Sequence, residues 1–212
     1  MSAATRNKAH GEKSLDNLTT DRLTIRPFER EDLSAVHRIL NAAFGASDTE
    51  ADVGSWLKWS RLNARWFPAM RQFPYGDRAV ALATTGEVVA VAGYAPLLMP
   101  FDQIPELARQ PGPRAPAPMS AEVGLFWAVD PPVQGRGYAT EAAEALIAYA
   151  FEHLRLWRIL ATTRYDNHAS QAVMLKAGMT LTRNPLPEPE WMQVVGVRYA
   201  SQPSHEPPGL TT

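Results

Sequence analysis

The stretch from Val123 to Thr140 narrows the possible folds most. An apolar run through Val129 is stopped by Asp130, Pro131 and Pro132, and Gln134-Gly135-Arg136-Gly137-Tyr138-Ala139-Thr140 then opens a helix. Proline cannot donate to a sheet ladder, so the strand ends there. Beyond the glycines, Ala139, Ala142, Ala143, Leu146, Ile147, Ala150 and Leu154 recur at helical spacing, with Glu141, Glu144 and Glu152 off that stripe. A strand, a tight turn and an amphipathic helix in this order point to a sheet covered by helices. The first N–H groups of a helix lack internal partners and carry partial positive charge, so glycines that admit phosphate oxygens to them make an anion site. A diphosphate suits it, with Arg136 adding a charge-assisted contact and Thr140 a hydroxyl donor. The same two glycines also suit a plain strand-to-helix turn, and a glycine pattern alone does not separate the two readings.

The flanking sequence supplies the rest of such a sheet. Leu23 and Ile25 alternate with Arg22, Thr24 and Arg26 as a short strand ended by Pro27. The spacing of Leu33, Val36, Ile39, Leu40 and Phe44 predicts a helix over Glu29 to Phe44 with Gly45 at its end. Glu50 to Phe73 predicts a second helix, kinked or ended by Pro68. Arg78 to Ala83 and Val88 to Leu98 read as strands joined by a turn at Gly86. Six prolines between Met99 and Met119 make that stretch a loop, either functional or a mobile connector. Trp157 to Thr163 reads as a strand, Asn167 to Ala177 as a helix followed by Gly178, and Met179 to Thr182 and Trp191 to Tyr199 as closing strands.

Composition enters as a set of exclusions. A chain of 212 residues with 45% apolar content supports one core, at roughly 100 to 200 residues per domain. Residues 1–19 and 201–212 are too polar to offset ordering entropy and are expected as flexible tails around one domain over residues 20–200. A net charge of -1 argues against nucleic acid. No apolar run reaches the ~20 residues that span a bilayer, and the first residues lack the apolar core of a secretory signal, so a cytoplasmic location away from membranes is expected. There is no cysteine, and His10, His37, His153, His168 and His205 are scattered, so no metal site is expected.

Gln134-x-x-Gly137-x-Ala139 resembles the acetyl-CoA pyrophosphate motif of the GNAT acetyltransferases, as does the longer string Gln-Gly-Arg-Gly-Tyr-Ala-Thr-Glu-Ala. Thr20 to Pro27 is similar to the opening strand of the branch that acetylates ribosomal-protein N-termini. Asn167-x-x-Ser170 followed by Lys176-x-Gly178 resembles that branch's second cofactor motif. The resemblance implies a mixed α/β (α+β) fold: a mostly antiparallel twisted sheet of about seven strands with one splayed parallel pair and about four helices. It implies acetyl-CoA as co-substrate, a primary amine as acceptor and direct attack in a ternary complex, and it leaves a homodimer open. Pantetheine would lie in the splay, bonded by the backbone of Trp127, Ala128 and Val129, the diphosphate would sit on Gln134, Gly135, Arg136, Gly137, Tyr138, Ala139 and Thr140, and Asn167 would meet the cofactor arm. Asparagine there also suits a helix N-cap, and the two roles are compatible.

An ammonium must lose a proton before attack, and the departing thiolate must be stabilised. The resemblance makes Glu122 the candidate base, directly or through water, and Ser170 the candidate donor near the thiolate. An ordinary strand-end glutamate and a locally bonded serine are the structural readings of the same residues. Where many relatives carry a tyrosine acid, this chain has Met174. That departure keeps open an alternative, a protein of the same fold that holds acyl-CoA without turning it over. A dinucleotide enzyme built on Gly135 and Gly137 is weaker, because Thr140 stands at the third glycine position and Ala161, Thr162 and Thr163 close the next strand without a ribose-binding acid. Trp56, Trp59, Trp66, Phe67, Tyr94 and Trp191 are candidates for the acceptor pocket or for the core.

Overall fold

The computed structural model describes residues 15–45, 47–108 and 117–201. Its strands are β1 (Leu18–Thr19), β2 (Leu23–Arg26), β3 (Gly76–Leu82), β4 (Val88–Met99), β5 (Ser120–Val129), β6 (Arg158–Thr163), β7 (Thr180–Arg183) and β8 (Val194–Tyr199). Its helices are α1 (Leu33–Phe44), α2 (Glu50–Ala69), α3 (Tyr138–Glu152) and α4 (His168–Lys176). One eight-stranded sheet runs in the order β1-β2-β3-β4-β5-β6-β8-β7, and every neighbouring pair is antiparallel except β5 and β6. The mixed sheet with one parallel pair and four helices agrees with the expectation, with one strand more than the seven read from the sequence.

The extra strand corrects the expected N-terminal tail. Residues 15–19 are not loose: a 3-10 turn at Leu15–Asn17 leads into β1, which pairs Leu18 with Ile25 and Thr19 with Thr24. Leu15 and Leu18 are buried in the main core, and that apolar burial holds a strand of two residues. Residues 1–14 and 202–212, where the tails were expected, lie outside the described residues.

Each helix begins and ends for local reasons. Gly45 takes the left-handed conformation (φ 60°) that stops α1. Thr49 and Asp52 form a reciprocal capping box at the start of α2, and Pro68 sits in its last turn, where no further helix has to be sustained. The helix α3 buries Ala139, Ala142, Ala143, Leu146, Ile147 and Ala150; the four alanines let it lie close to the sheet.

The two sheet faces are covered differently. The helices α3 and α4 close the back, over a core that includes Val80, Ala92, Tyr94, Leu125 and Met174. The front is closed in two separate patches. Over one half of the sheet, Val36 and Ile39 of α1 and Val53 and Leu57 of α2 pack on Ala79, Val91 and Ala128. Over the other half, Phe101, Ile104 and Leu107 pack with Met192 on Leu160, Val195 and Val197. The front half of the proline-rich loop is therefore a packed cover, because its apolar residues fall between the prolines; residues 109–116 lie outside the described residues.

Candidate active site

The centre of the sheet is open along one seam. β5 pairs with β4 along its whole length, from Met99 and Ser120 to Ala90 and Val129, yet it meets β6 at a single register position, Gly124 and Leu160. β6 continues on its other side, pairing with β8 as far as Thr163 and Val194. From Leu125 to Val129 the outer edge of β5 has no strand beside it. Unpaired main-chain groups in mid-sheet are a ready template for an extended ligand. Trp127, Ala128 and Val129 lie on this edge; the Val129 carbonyl also accepts from Gln134 Nε2 at 3.2 Å.

The seam leads to the start of α3. Asp130 ends β5, buried and paired with Arg38 of α1 (Nη2 to Oδ2 2.6 Å). A 3-10 turn at Pro131–Val133 follows, and Gly135 (φ 75°) and Gly137 (φ 84°) take left-handed conformations that other residues adopt only under strain. Gly137 is the N-cap of α3 and offers no side-chain cap; the first bond across the turn runs from the Glu141 N–H to the Gly137 carbonyl. The N–H groups of Tyr138, Ala139 and Thr140 thus open the helix with no side chain to cap them. Gln134, Gly135, Arg136 and Gly137 are exposed.

A brace that the sequence reading missed holds this turn in place. Arg22 Nη1 donates to the Arg136 carbonyl (3.1 Å), its Nε and Nη2 donate to Glu141 (2.7 and 2.6 Å), and its guanidinium lies 5.0 Å from the centre of the Tyr138 ring. Thr20 Oγ1 donates to the same carboxylate at 2.5 Å. Burial pushes the Glu141 carboxyl up, but the bonds from Thr20 and Arg22 outweigh it and hold the group below the usual carboxylate range. The only sequence signal was that Thr20-Asp21-Arg22 and the Glu141 of the glycine-loop string belong to two motifs of one resemblance.

On the far side of the seam, Asn167 caps α4: its Oδ1 accepts from the Ser170 N–H at 3.0 Å, which leaves Nδ2 for another partner. Ser170 is half-buried in the first turn. Met174 is fully buried on the back face, where a Cβ on Gly196 would stand 3.0 Å from its sulfur. That position packs the core and offers no proton.

Glu122 lies two residues before the Gly124 bridge and makes a two-bond ion pair with Arg158 of β6. Both side chains are largely buried (13% and 9% exposed), and the Arg158 guanidinium stacks 4.4 Å from the Trp157 ring centre. Burial pulls the Arg158 guanidinium down, but bonding to Glu122 prevails and raises it.

Of the aromatic candidates, Tyr94 is core, its hydroxyl donating to the Leu146 carbonyl at 2.6 Å. Trp56 packs on Phe28, while Trp59, Trp66 and Trp191 are exposed and Phe67 is half-buried. The aromatic pair that does border the seam is another one: Phe44, at the end of α1, stacks on Phe126 of β5 with ring centres 5.8 Å apart. Their partnership spans more than eighty residues of chain and had no local signal.

Comparison with known proteins identifies the family and the fold. A family model described as "Acetyltransferase (GNAT) domain" matches residues 22–180. A 58-residue segment is 45% identical to the N-acetyltransferase YnaD of Bacillus subtilis; it makes up 27% of this chain, and the chain covers 33% of that relative. Among solved structures, the ribosomal-protein-S5-alanine acetyltransferase of Vibrio fischeri superposes with a TM-score of 0.60 at 13% identity, over 88% of this chain and 97% of that one. The ribosomal L7/L12 alpha-N-protein acetyltransferase RimL, in complex with coenzyme A, superposes with a TM-score of 0.54 at 16% identity, over 87% and 98%. At such identities the likeness is one of fold.

Proposed function

This chain belongs to the GNAT acetyltransferase family, and from that premise we propose that it is an N-acetyltransferase that moves the acetyl group of acetyl-CoA to a primary amine in a ternary complex. One observation carries the reading: the unpaired edge of β5 runs straight into the uncapped start of α3. An extended pantetheine arm needs main-chain partners and a diphosphate needs converging N–H groups, and the two features supply them in that order.

The backbone of Trp127, Ala128 and Val129 then serves the pantetheine amides. The turn from Gln134 to Thr140 serves the diphosphate, with Arg136 exposed on it to add charge. Asn167, its Oδ1 committed to the cap, offers Nδ2 to the cofactor arm. Ser170 is the donor for the leaving thiolate, because Met174 is withdrawn into the core. Glu122 receives the amine proton, directly or through water; to do so one carboxylate oxygen has to be shared with Arg158.

The acceptor is a small molecule or a protein N-terminus, the latter suggested by the ribosomal-protein acetyltransferases of the same fold. Among the described residues no helix is long and apolar enough to cross a membrane, in keeping with a cytoplasmic enzyme. The reading as a non-catalytic acyl-CoA carrier draws no support from the similar proteins above, each described as an acetyltransferase. Calorimetry with acetyl-CoA tests the site and free-CoA release over a panel of amines tests the reaction. Binding without release for any amine would overturn the catalytic reading, and no binding at millimolar ligand would overturn the whole.

A further inference from the structure

The residue just before β2 reaches the start of α3, and what its side chain grips there is a peptide plane. Arg22 is first fixed at its own main chain: its N–H donates to Glu141 Oε1 at 3.0 Å and its carbonyl accepts from the Ala83 N–H at 2.9 Å. The turn that leads into it is closed by Thr20, whose hydroxyl accepts from the Leu23 N–H at 3.0 Å and whose N–H donates to the Leu23 carbonyl at 2.9 Å. From this base the guanidinium acts as a rigid fork with two edges. Nε and Nη2 donate to the Glu141 carboxylate, and Nη1 donates to the Arg136 carbonyl. A Cβ on Gly137 would stand 3.4 Å from Nη2, so the fork lies directly against the glycine turn.

The Arg136 carbonyl belongs to the same planar, trans peptide as the Gly137 N–H, and in such a unit the two groups point in opposite directions. Holding the carbonyl therefore aims the N–H away from Arg22. This N–H, like those of Tyr138, Ala139 and Thr140, has no partner among the described residues. Gly135 and Gly137 flank Arg136 and are both left-handed, and glycine restrains its own backbone least, so the aim of this plane depends on a contact from outside the turn. Glu141 adds an electrostatic reason for the same contact. Its carboxylate stands in the first turn of α3, where an unpaired negative charge would repel an incoming anion. Thr20 and Arg22 occupy both of its oxygens.

We propose that Arg22 is the positioning residue of the diphosphate site: by pinning the Arg136 carbonyl and pairing Glu141, it presents the Gly137 N–H, together with the first N–H groups of α3, to the linked phosphoryl groups of the co-substrate. The inference rests on the acetyltransferase reading above and gives a residue of a different motif, near the edge of the sheet, control over co-substrate affinity. β2 stands three strand places from β5, roughly 14–15 Å away, so Arg22 acts on binding and leaves the chemistry at the seam alone. Positive charge by itself does not serve this role. A lysine keeps the charge but has a single nitrogen, which cannot occupy both edges of the fork.

The test measures the affinity of acetyl-CoA and of acetyl-dephospho-CoA, which lacks the ribose phosphate but keeps the diphosphate, by calorimetry on the parent chain, Arg22→Lys and Arg22→Met, with Tm recorded for each. In parallel, thiol release with the most reactive amine of the panel is followed from acetyl-CoA and from S-acetylpantetheine, which has no diphosphate. Both variants are expected to bind both coenzymes at least about tenfold more weakly, the factor that one well-aimed bond to a charged group supplies. KM for acetyl-CoA rises with it, while kcat, KM for the amine and kcat/KM for S-acetylpantetheine change by less than about twofold. Parent-like affinity in Arg22→Lys would show that charge suffices, and a loss confined to acetyl-CoA would move the contact to the ribose phosphate. An equal loss on S-acetylpantetheine, or unfolding of both variants, would reduce Arg22 to a general support of the fold. Each of these results overturns the proposal. Failure of the parent to bind acetyl-CoA would instead remove the reading on which it rests, and binding without thiol release would remove the catalysis while the affinities still decide the role of Arg22.

Discussion

A carboxylate that has lost water without gaining a partner opposes folding, and Asp77 shows how that opposition depends on pH. Its folded value of about 6, raised by desolvation against the pull of Arg78, lies above the ~3.9 of an unfolded aspartate. Below about pH 4 both states carry the proton and the group is neutral in its effect. Between about pH 4 and 6 the unfolded chain ionises first, so stability falls, and above about 6 the deficit is constant. Asp77→Asn removes that deficit. Chemical denaturation at pH 7.5 is expected to show the variant more stable by about 1–3 kcal/mol, and the same comparison at pH 4 to show almost no difference. A gain that persists unchanged at pH 4 would mean that packing, and not ionisation, is responsible. The second residue-scale case is Gly137, whose φ of 84° an L side chain resists by roughly 1–2 kcal/mol. Gly137→Ala should lose about that much stability and at least about tenfold in acetyl-CoA affinity by calorimetry, because the turn that aims the first N–H groups of α3 relaxes.

At the scale of elements, the pair of strands that parts at Gly124 is held below the split by Glu122 and Arg158. Removing one member of a buried pair strands the other charge, at about 3–5 kcal/mol, whereas replacing both is far milder. Glu122→Ala is therefore expected to be severely destabilised, and the double variant Glu122→Ala with Arg158→Met to recover much of the loss in a urea titration. Glu122→Gln keeps the shape and part of the bonding, so its kcat against pH is the cleaner probe of proton transfer: a folded Glu122→Gln with undiminished kcat would leave the residue as a clasp alone. These elements also show what a sequence discloses. β5, the glycine turn and α3 were legible because proline, glycine and the alanine-leucine stripe act within a few residues of one another. Glu122 was singled out on its own and Arg158 fell only within a strand, and nothing local paired them, since they stand 36 positions apart and only the single parallel bridge brings them together. Asp77 stands just before the strand read from Arg78 and carried no signal of its own, because its setting comes from a neighbour without a side chain, Gly93, on another strand. β1 was too short to show a period, and Leu15 and Leu18 count as core only once β2 supplies the wall they pack on.

For the molecule as a whole, the seam is a structural cost that a ligand offsets. A sheet of eight strands with its central parallel pair joined at one register position forgoes the ladder along Leu125 to Val129, and the two apolar patches over the front share no buried residue. A ligand that lies along β5 and closes on the start of α3 ties β4 and β5 to β6 and α4 through its own bonds. Binding to the folded state alone adds about 2.7 kcal/mol when the ligand stands at 100 times its dissociation constant. For a chain of 212 residues each kcal/mol is worth about 2–4 °C, so saturating acetyl-CoA should raise Tm by about 5–10 °C. Hydrogen exchange locates the effect. Protection should rise at residues 125–129 and 135–140, on the edge of β5 and the turn into α3, and stay unchanged in β2 and β3, which the seam does not touch. A Tm increase with protection spread evenly over the sheet would point to tightening of the whole molecule. Protection confined to the two segments would place the ligand where the missing ladder and the uncapped helix both call for it.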